Sequence, residues 1–210
     1  MSHVHGIVSE FIHKGRKMRG HPHADPETAK RRDRIKERVQ NAILKLISHI
    51  RARRILDVGT GFGHNVRLLA QLFKGKGKVW SIDPSPEVLR EARRMLEADG
   101  LIKNVMLLDA EAEDLPFHDG FFDIVTSVML VHHLVDAQNG LREMVRVLAD
   151  HGILVLVDWR PVSSEVVPHR ARDFADPERI RRILIQLGLS IKLQKYRYWY
   201  LIEGTKSVKS

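Results

Sequence analysis

The chain has 210 residues, 43% of them hydrophobic and none of them cysteine; that length closes one sizeable core and argues against a second full domain, and the missing thiols exclude disulfides, thiolate metal sites and covalent cysteine catalysis. No apolar run approaches the roughly 18 residues of a membrane span and the polar start has no secretory stretch, so the expected location is the cytoplasm, with no membrane partner. The formal charge of +9 is lopsided: residues 1–54 hold 14 Lys and Arg against five Asp and Glu, and the remainder is balanced, so the excess reads either as a solvated helix face or as a surface, within residues 14–54, for RNA or another anionic partner.

Residues 1–24 carry five histidines, His3, His5, His13, His21 and His23, without a sustained apolar period, and are expected to form a mobile arm. Their spacing matches no closed metal site, and no metal is predicted. Residues 25–50 are expected to form a basic amphipathic helix, with Asp25 as N-cap, Pro26 in the first turn, and Ile35, Val39, Ile43, Leu46, Ile47 and Ile50 recurring at steps of three and four.

From residue 51 to 210 short apolar strands alternate with helices, which implies a mostly parallel sheet with helices on both faces. Strands are expected near Arg54 to Val58, Lys78 to Ile82, Asn104 to Leu108, Phe122 to Ser127 and Ile153 to Asp158. Helices begin near Gly63, Pro86 and Ala137, with Ser85 and Asp136 as caps and Gly75 and Gly100 as stops. A further helix starts at Asp176-Pro177-Glu178 and ends before Gly188. Leu189 to Lys195 and Tyr198 to Gly204 then form an antiparallel hairpin. Nothing in the pattern specifies an oligomeric state.

The first strand runs into ILDVGTGFGHN, a strand-to-helix turn in which Asp57, Gly59, Thr60, Gly61 and Gly63 bring bare backbone toward a ligand. A dinucleotide fingerprint would place its third glycine at position 64, which is His64, so the spacing argues against a pyrophosphate cradle. Asp83, followed by Pro84 at the end of the second strand, stands where a carboxylate accepts ribose hydroxyl hydrogens, an arrangement that dinucleotide and methyl-donor folds share. Acidic-x-Gly-x-Gly-x-Gly resembles the first motif of class I S-adenosylmethionine-dependent methyltransferases. Acid-Ala-acid-acid-Leu-Pro-Phe at 111–117, Phe122-Asp123, the His-containing loop and Arg146-Val147-Leu148 resemble the quinone-biosynthesis-like, small-molecule branch of that family across residues 54 to 160.

The resemblance implies a Rossmann-like seven-stranded sheet with an antiparallel C-terminal strand, an N-terminal arm and helix, and S-adenosyl-L-methionine as cofactor. It places Glu111 at the adenine amino group, with Asp109 as rival, the Ala112 amide on the ring edge, and Leu130 in the pocket wall. Phe62 and Phe117 are further candidates beside the cofactor. Residues 149–152 depart from the family's usual Lys-Pro-Gly-Gly and read as a turn.

His132 and His133 follow the fourth strand at the carboxyl edge, where one of them is a candidate general base if the acceptor must lose a proton. Asp158, Trp159 and Arg160 end the fifth strand nearby, and Arg160 is a candidate anion ligand. Residues 161–173, with Glu165, His169, Arg170 and Arg172, are expected to cover the acceptor. The fourth strand ends in TSVML, without the Asn/Asp-Pro-Pro-aromatic loop that grips an amino-nucleobase, and thiolate-adduct carbon methylation is impossible without cysteine. Three readings follow: a small-molecule methyltransferase acting on oxygen, carbon or nitrogen; an RNA or protein methyltransferase docking on the basic helix; and a non-catalytic scaffold with the cofactor fold, with a nicotinamide oxidoreductase behind them.

Overall fold

The computed structural model describes residues 26–162 and 176–207, and the chain divides between Ile50 and Arg51 into two units. The expected arm at 1–24, the Asp25 cap, and Glu165, His169, Arg170 and Arg172 of the expected acceptor cover lie outside the described residues.

The first unit contributes helix α1, Pro26–Ile47. Its opening follows from Pro26, whose fixed φ suits a first helical turn, and Glu27, whose charge opposes the helix dipole there. Ile35, Val39, Ile43, Leu44 and Ile47 form its buried stripe, whereas Lys30, Arg34, Lys36, Arg38 and Lys45 are exposed. Arg34 pairs with Glu27 at 3.2 Å and Lys36 with Asp33 at 3.7 Å, exposed contacts that contribute little.

The second unit runs β1 (Arg54–Val58), α2 (His64–Leu72), β2 (Lys78–Ile82), α3 (Pro86–Ala98), β3 (Val105–Leu108), β4 (Phe122–Val128), α4 (Ala137–Val147), β5 (Leu148–Trp159), α5 (Pro177–Gln186), β6 (Leu189–Lys195) and β7 (Trp199–Lys206). The seven strands lie in the order β3-β2-β1-β4-β5-β7-β6. All pairings are parallel except those of β7, which is antiparallel to both β5 and β6. Strands covered on both faces read as apolar runs, and Ile55, Leu56 and Val58 are accordingly all fully buried.

Helices start where their caps direct. Ser85 Oγ accepts from the Val88 amide at 3.4 Å, Asp136 from Asn139 at 3.0 Å, and Asp176 from Glu178 at 3.2 Å. Leu141, Met144 and Val145 of α4 and Ile180 and Leu184 of α5 join Leu56, Val125, Leu154, Leu156, Tyr200 and Ile202 of the sheet in one core. Each large aliphatic buried there stabilises the fold by about 1.5–3 kcal/mol relative to exposure. Helices α2 and α3 lie against β1, β2 and β3 on the other face.

The largest boundary difference from the sequence reading is in the fifth strand, while the helix expected over residues 25–50 ends at Ile47 and the last strand, expected over Tyr198 to Gly204, runs Trp199–Lys206. Residues 149–152, read as a turn, lie inside a longer β5, where the register against β4 jumps from Phe122↔Leu148 to Ile124↔Ile153. His151 takes φ 60° to make this bulge, and a Cβ on Gly152 would come within 2.7 Å of the Ala149 carbonyl oxygen, so the bulge demands glycine. Order reverses between β1 and β4, whose connections leave in opposite directions and open a crevice at their carboxyl ends.

Candidate active site

The glycine turn at the end of β1 is tied to β2. The Gly59 and Thr60 amides both donate to the Ile82 carbonyl, at 3.0 and 2.8 Å, and the Gly61 amide donates to Asp83 Oδ2 at 3.0 Å. Asp83 Oδ1 accepts from the Ser85 amide at 3.0 Å, so this carboxylate joins the turn to the start of α3, beside the exposed Pro84.

All three glycines have positive φ, at 87°, 47° and 77°, a region costly for residues with a Cβ. Their surroundings differ. A Cβ on Gly59 would meet Leu130 Cδ1 at 3.0 Å and one on Gly63 would meet Met95 Cε at 2.5 Å, whereas Gly61 has nothing within 4 Å. Two glycines therefore serve close packing, and the third presents bare backbone to open space beside Asp83. That juxtaposition fits a ligand with a diol and a flexible chain, as S-adenosylmethionine has.

Beneath the turn lies a polar network within the sheet. Asp57 is wholly buried; its Oδ1 accepts from Asn65 Nδ2 at 2.6 Å and Thr126 Oγ1 at 3.2 Å, and its Oδ2 from Ser81 Oγ at 2.8 Å. Ser81 Oγ also bonds Thr60 Oγ1 at 2.8 Å. Burial pushes the Asp57 carboxyl up to about 6, the charge of Asp83 adding to it, while the bonds from Asn65, Ser81 and Thr126 oppose it. Asp57 and Thr60 thus support the turn from below. Asn65, Ser81 and Thr126 were not among the expected site residues, although in-register polar residues on otherwise apolar strands, Asp57↔Ser81 and Asp57↔Thr126, carry the signal.

The acidic loop after β3 holds Glu111, exposed, and Ala112, buried. It is pinned by α4: Arg146 donates to the Leu115 and Phe117 carbonyls at 2.9 and 2.7 Å, and Glu143 accepts from the Leu115 amide at 2.9 Å. Arg146 and Glu143 are themselves paired at 2.7 Å, which lowers the Glu143 carboxyl's proton affinity. Phe117 belongs to an aromatic cluster with Phe121 and Phe122, its ring 4.8 Å from that of Phe122, while Phe62 stands 64% exposed at the glycine turn.

At the acceptor edge the two adjacent histidines part company. His132 Nδ1 lies 2.6 Å from Asp158 Oδ1, with the two side chains 2% and 1% exposed, and the His132 amide donates to Asp158 Oδ2 at 3.0 Å. His133 is exposed, its ring centroid 3.9 Å from that of His132. Met129 takes φ 56° as the chain leaves β4, which aims half-buried Leu130 at Gly59. Arg160 donates to the Tyr196 and Arg197 carbonyls, so its guanidinium holds the β6–β7 turn. No helix among the described residues is long and apolar enough to cross a membrane.

A family model described as a methyltransferase domain matches residues 56–156. The chain is 40% identical over 155 residues to the demethylmenaquinone methyltransferase of Thermus thermophilus, covering 74% of this chain and 67% of that protein. It is 30% identical over 157 residues to the ubiquinone/menaquinone biosynthesis C-methyltransferase UbiE of Idiomarina loihiensis, covering 74% of this chain and 60% of that one. The chain spans 50–60% of the length of several such curated relatives. Among solved structures, a SAM dependent methyltransferase from Aquifex aeolicus aligns with a TM-score of 0.72 at 24% identity, over 87% of this chain and 99% of that one, a likeness of fold.

Proposed function

The chain belongs to the class I S-adenosylmethionine-dependent methyltransferases of the quinone-biosynthesis-like type, and on that premise we propose that it methylates a small-molecule hydroquinone-type acceptor by in-line displacement. One observation carries the reading: the open Gly61 backbone and the Asp83 carboxylate stand together at the carboxyl ends of β1 and β2, and the His132–Asp158 pair stands at the carboxyl end of β5 in the same sheet. The acceptor class is taken from relatives named as a demethylmenaquinone methyltransferase and a ubiquinone/menaquinone biosynthesis C-methyltransferase. Residues 51–210 are the methyltransferase domain in this reading.

The bound cofactor supplies an electrophilic methyl group on a sulfonium, so the chain's residues supply proximity, alignment and dryness. Asp83 receives the ribose hydroxyls, the 59–63 turn flanks the methionine portion, and Asp57 and Thr60 hold that turn from below. Glu111 and the Ala112 amide face the adenine edge, and Leu130 closes the side next to Gly59. His132 takes the acceptor's proton, with exposed His133 at its side.

Calorimetry with S-adenosylhomocysteine, NAD and NADP, followed by labelled methyl transfer to a reduced 2-alkyl-1,4-naphthohydroquinone, tests this. Binding of S-adenosylhomocysteine alone and labelled hydroquinone are expected; micromolar NAD binding without S-adenosylhomocysteine would overturn the reading. Cofactor binding without transfer to any acceptor would favour the scaffold. The exposed cations of α1 favour a second reading, an RNA or protein acceptor docked on that helix. It requires RNA binding that weakens steeply with salt and is lost in a Lys36→Glu, Arg38→Glu, Lys45→Glu variant.

A further inference from the structure

We propose that Asp158 is the positioning residue that converts His132 into an oriented general base for a weakly acidic hydroxyl of the acceptor; this deepens, and rests on, the methyltransferase reading above. Asp158 lies one residue from the end of β5, fully buried. Its carboxylate accepts from three donors: His132 Nδ1 at 2.6 Å, the His132 amide at 3.0 Å and the Trp159 amide at 2.7 Å. Three such bonds sustain a charged carboxylate away from water.

The geometry goes beyond holding a loop. Ring and backbone of the same histidine are gripped by the two oxygens of one carboxylate, which removes the freedom of χ1 and fixes the direction of the other ring nitrogen, Nε2, which is itself buried. A carboxylate has no proton to donate, so the proton of the 2.6 Å contact belongs to Nδ1, and proton exchange falls to Nε2. The buried charge then stabilises the imidazolium that forms when Nε2 accepts a proton, the same division of labour as in hydrolase triads. The step balances: the acceptor O–H bond breaks, its proton forms an N–H bond at Nε2, and the electron pair stays on the acceptor oxygen, activating that oxygen or its conjugated ring carbon toward methylation; after carbon methylation the ring C–H bond breaks and its proton returns the oxygen to a hydroxyl. The proton afterwards passes to solvent.

The titratable groups facing the pair support that assignment. His133 contacts the His132 ring from the same loop. From β7, Tyr200 stands opposite Asp158 in the antiparallel register, its hydroxyl buried without a hydrogen-bond partner among the described residues. Burial holds that phenol neutral, and the charges of Asp158 and of Asp176, at the start of α5, push it further in the same direction. Asp158 is thereby left as the buried anion beside His132, with no Lys or Arg bonded to it among the described contacts.

The experiment uses the full chain with 15N-labelled histidine. Two-bond 15N–1H correlation spectra should show neutral His132 as the Nδ1–H tautomer in the wild type and loss of that single tautomer in Asp158→Asn. With reduced 2-alkyl-1,4-naphthohydroquinone as acceptor, kcat should fall about 100-fold or more in Asp158→Asn and in His132→Gln, while S-adenosylhomocysteine affinity stays within threefold. The double variant should be no slower than the slower single one. If Asp158→Asn fails to fold, the wild-type tautomer and His132→Gln carry the test. An Nε2–H tautomer, or turnover within threefold of wild type in either variant, overturns the proposal. A chain that shows the Asp158-dependent Nδ1–H tautomer yet methylates no hydroquinone refutes the acceptor class and supports the oriented base.

Discussion

Replacing Asp57 by Asn tests whether the network under the glycine turn is built at the expense of stability. The Asp57 carboxyl is wholly buried and is pushed from 3.8 to about 6, burial being the largest cause. The sign follows from proton linkage. Between those values the folded state holds a proton that the unfolded chain has released, so the stabilisation from this group is fully present below about 3.8 and is lost as pH rises through 6. A displacement of about two pH units corresponds to about 3 kcal/mol. Asparagine keeps the shape and can still accept from Asn65 and Thr126, while its amide faces Ser81, whose hydroxyl can turn to accept; it carries no charge to desolvate. Urea denaturation of both chains from pH 4 to 8 should show the wild-type unfolding free energy falling relative to the variant by about 2.5 kcal/mol, with most of the change complete by pH 6.5. Parallel profiles, differing by a constant within about 0.5 kcal/mol, would refute the argument. The same variant bears on function, because S-adenosylmethionine carries one more positive charge than S-adenosylhomocysteine: above pH 6 the loss of Asp57's charge should weaken the first ligand more than the second.

Asp83→Ala removes the proposed ribose partner and the bond to the Gly61 amide, so S-adenosylhomocysteine affinity measured by calorimetry should fall about 10- to 150-fold, equivalent to about 1.5–3 kcal/mol. Gly59→Ala forces a Cβ into a left-handed backbone 3.0 Å from Leu130 Cδ1 and should cost about 1–2 kcal/mol in conformation alone; pairing it with Leu130→Ala relieves the clash but not the backbone term, which a double-mutant cycle separates. Arg146→Met strips two carbonyl bonds and the Glu143 pair from the loop at 115–117, lowering stability by about 1.5–3 kcal/mol and raising hydrogen exchange at the Leu115 amide.

Strand and helix positions were readable because each element in the second unit declares itself locally: buried strands as β-branched runs, helices by Ser85-Pro86, Asp136 and Asp176-Pro177, stops by Gly75, Gly100 and Gly188. The β5 boundary was not, because a bulge depends on the register with β4. Residues 149–152 have turn composition, and only the jump from Phe122↔Leu148 to Ile124↔Ile153 keeps them in the strand. The glycine turn and Asp83 were legible as a constellation, since one strand-to-helix connection and one strand end suffice to place them. Asp57 was legible as part of the glycine-turn motif but not its buried network, which requires knowing that Ser81 and Thr126 flank it on neighbouring strands.

The motif pieces that carried the resemblance also gain a physical reason. Leu115-Pro116-Phe117 and Arg146-Val147-Leu148 lie 31 residues apart at their hydrogen-bonded ends and meet because the Arg146 guanidinium satisfies two carbonyls of a loop that has no ladder to bond. The His132–Asp158 pair is of the same kind, 26 residues apart, but sequence offered two neighbouring histidines and no means of choosing between them. What chooses is the exit of the chain from β4: Met129 in a left-handed conformation, its amide bonded to the Val157 carbonyl, turns the next residues so that Leu130 meets the glycine turn and His132 meets the carboxylate one position beyond Val157. One backbone reversal thus sets both the wall of the proposed cofactor site and the orientation of the proposed base, which would tie the two halves of the reaction to the same β4–β5 register.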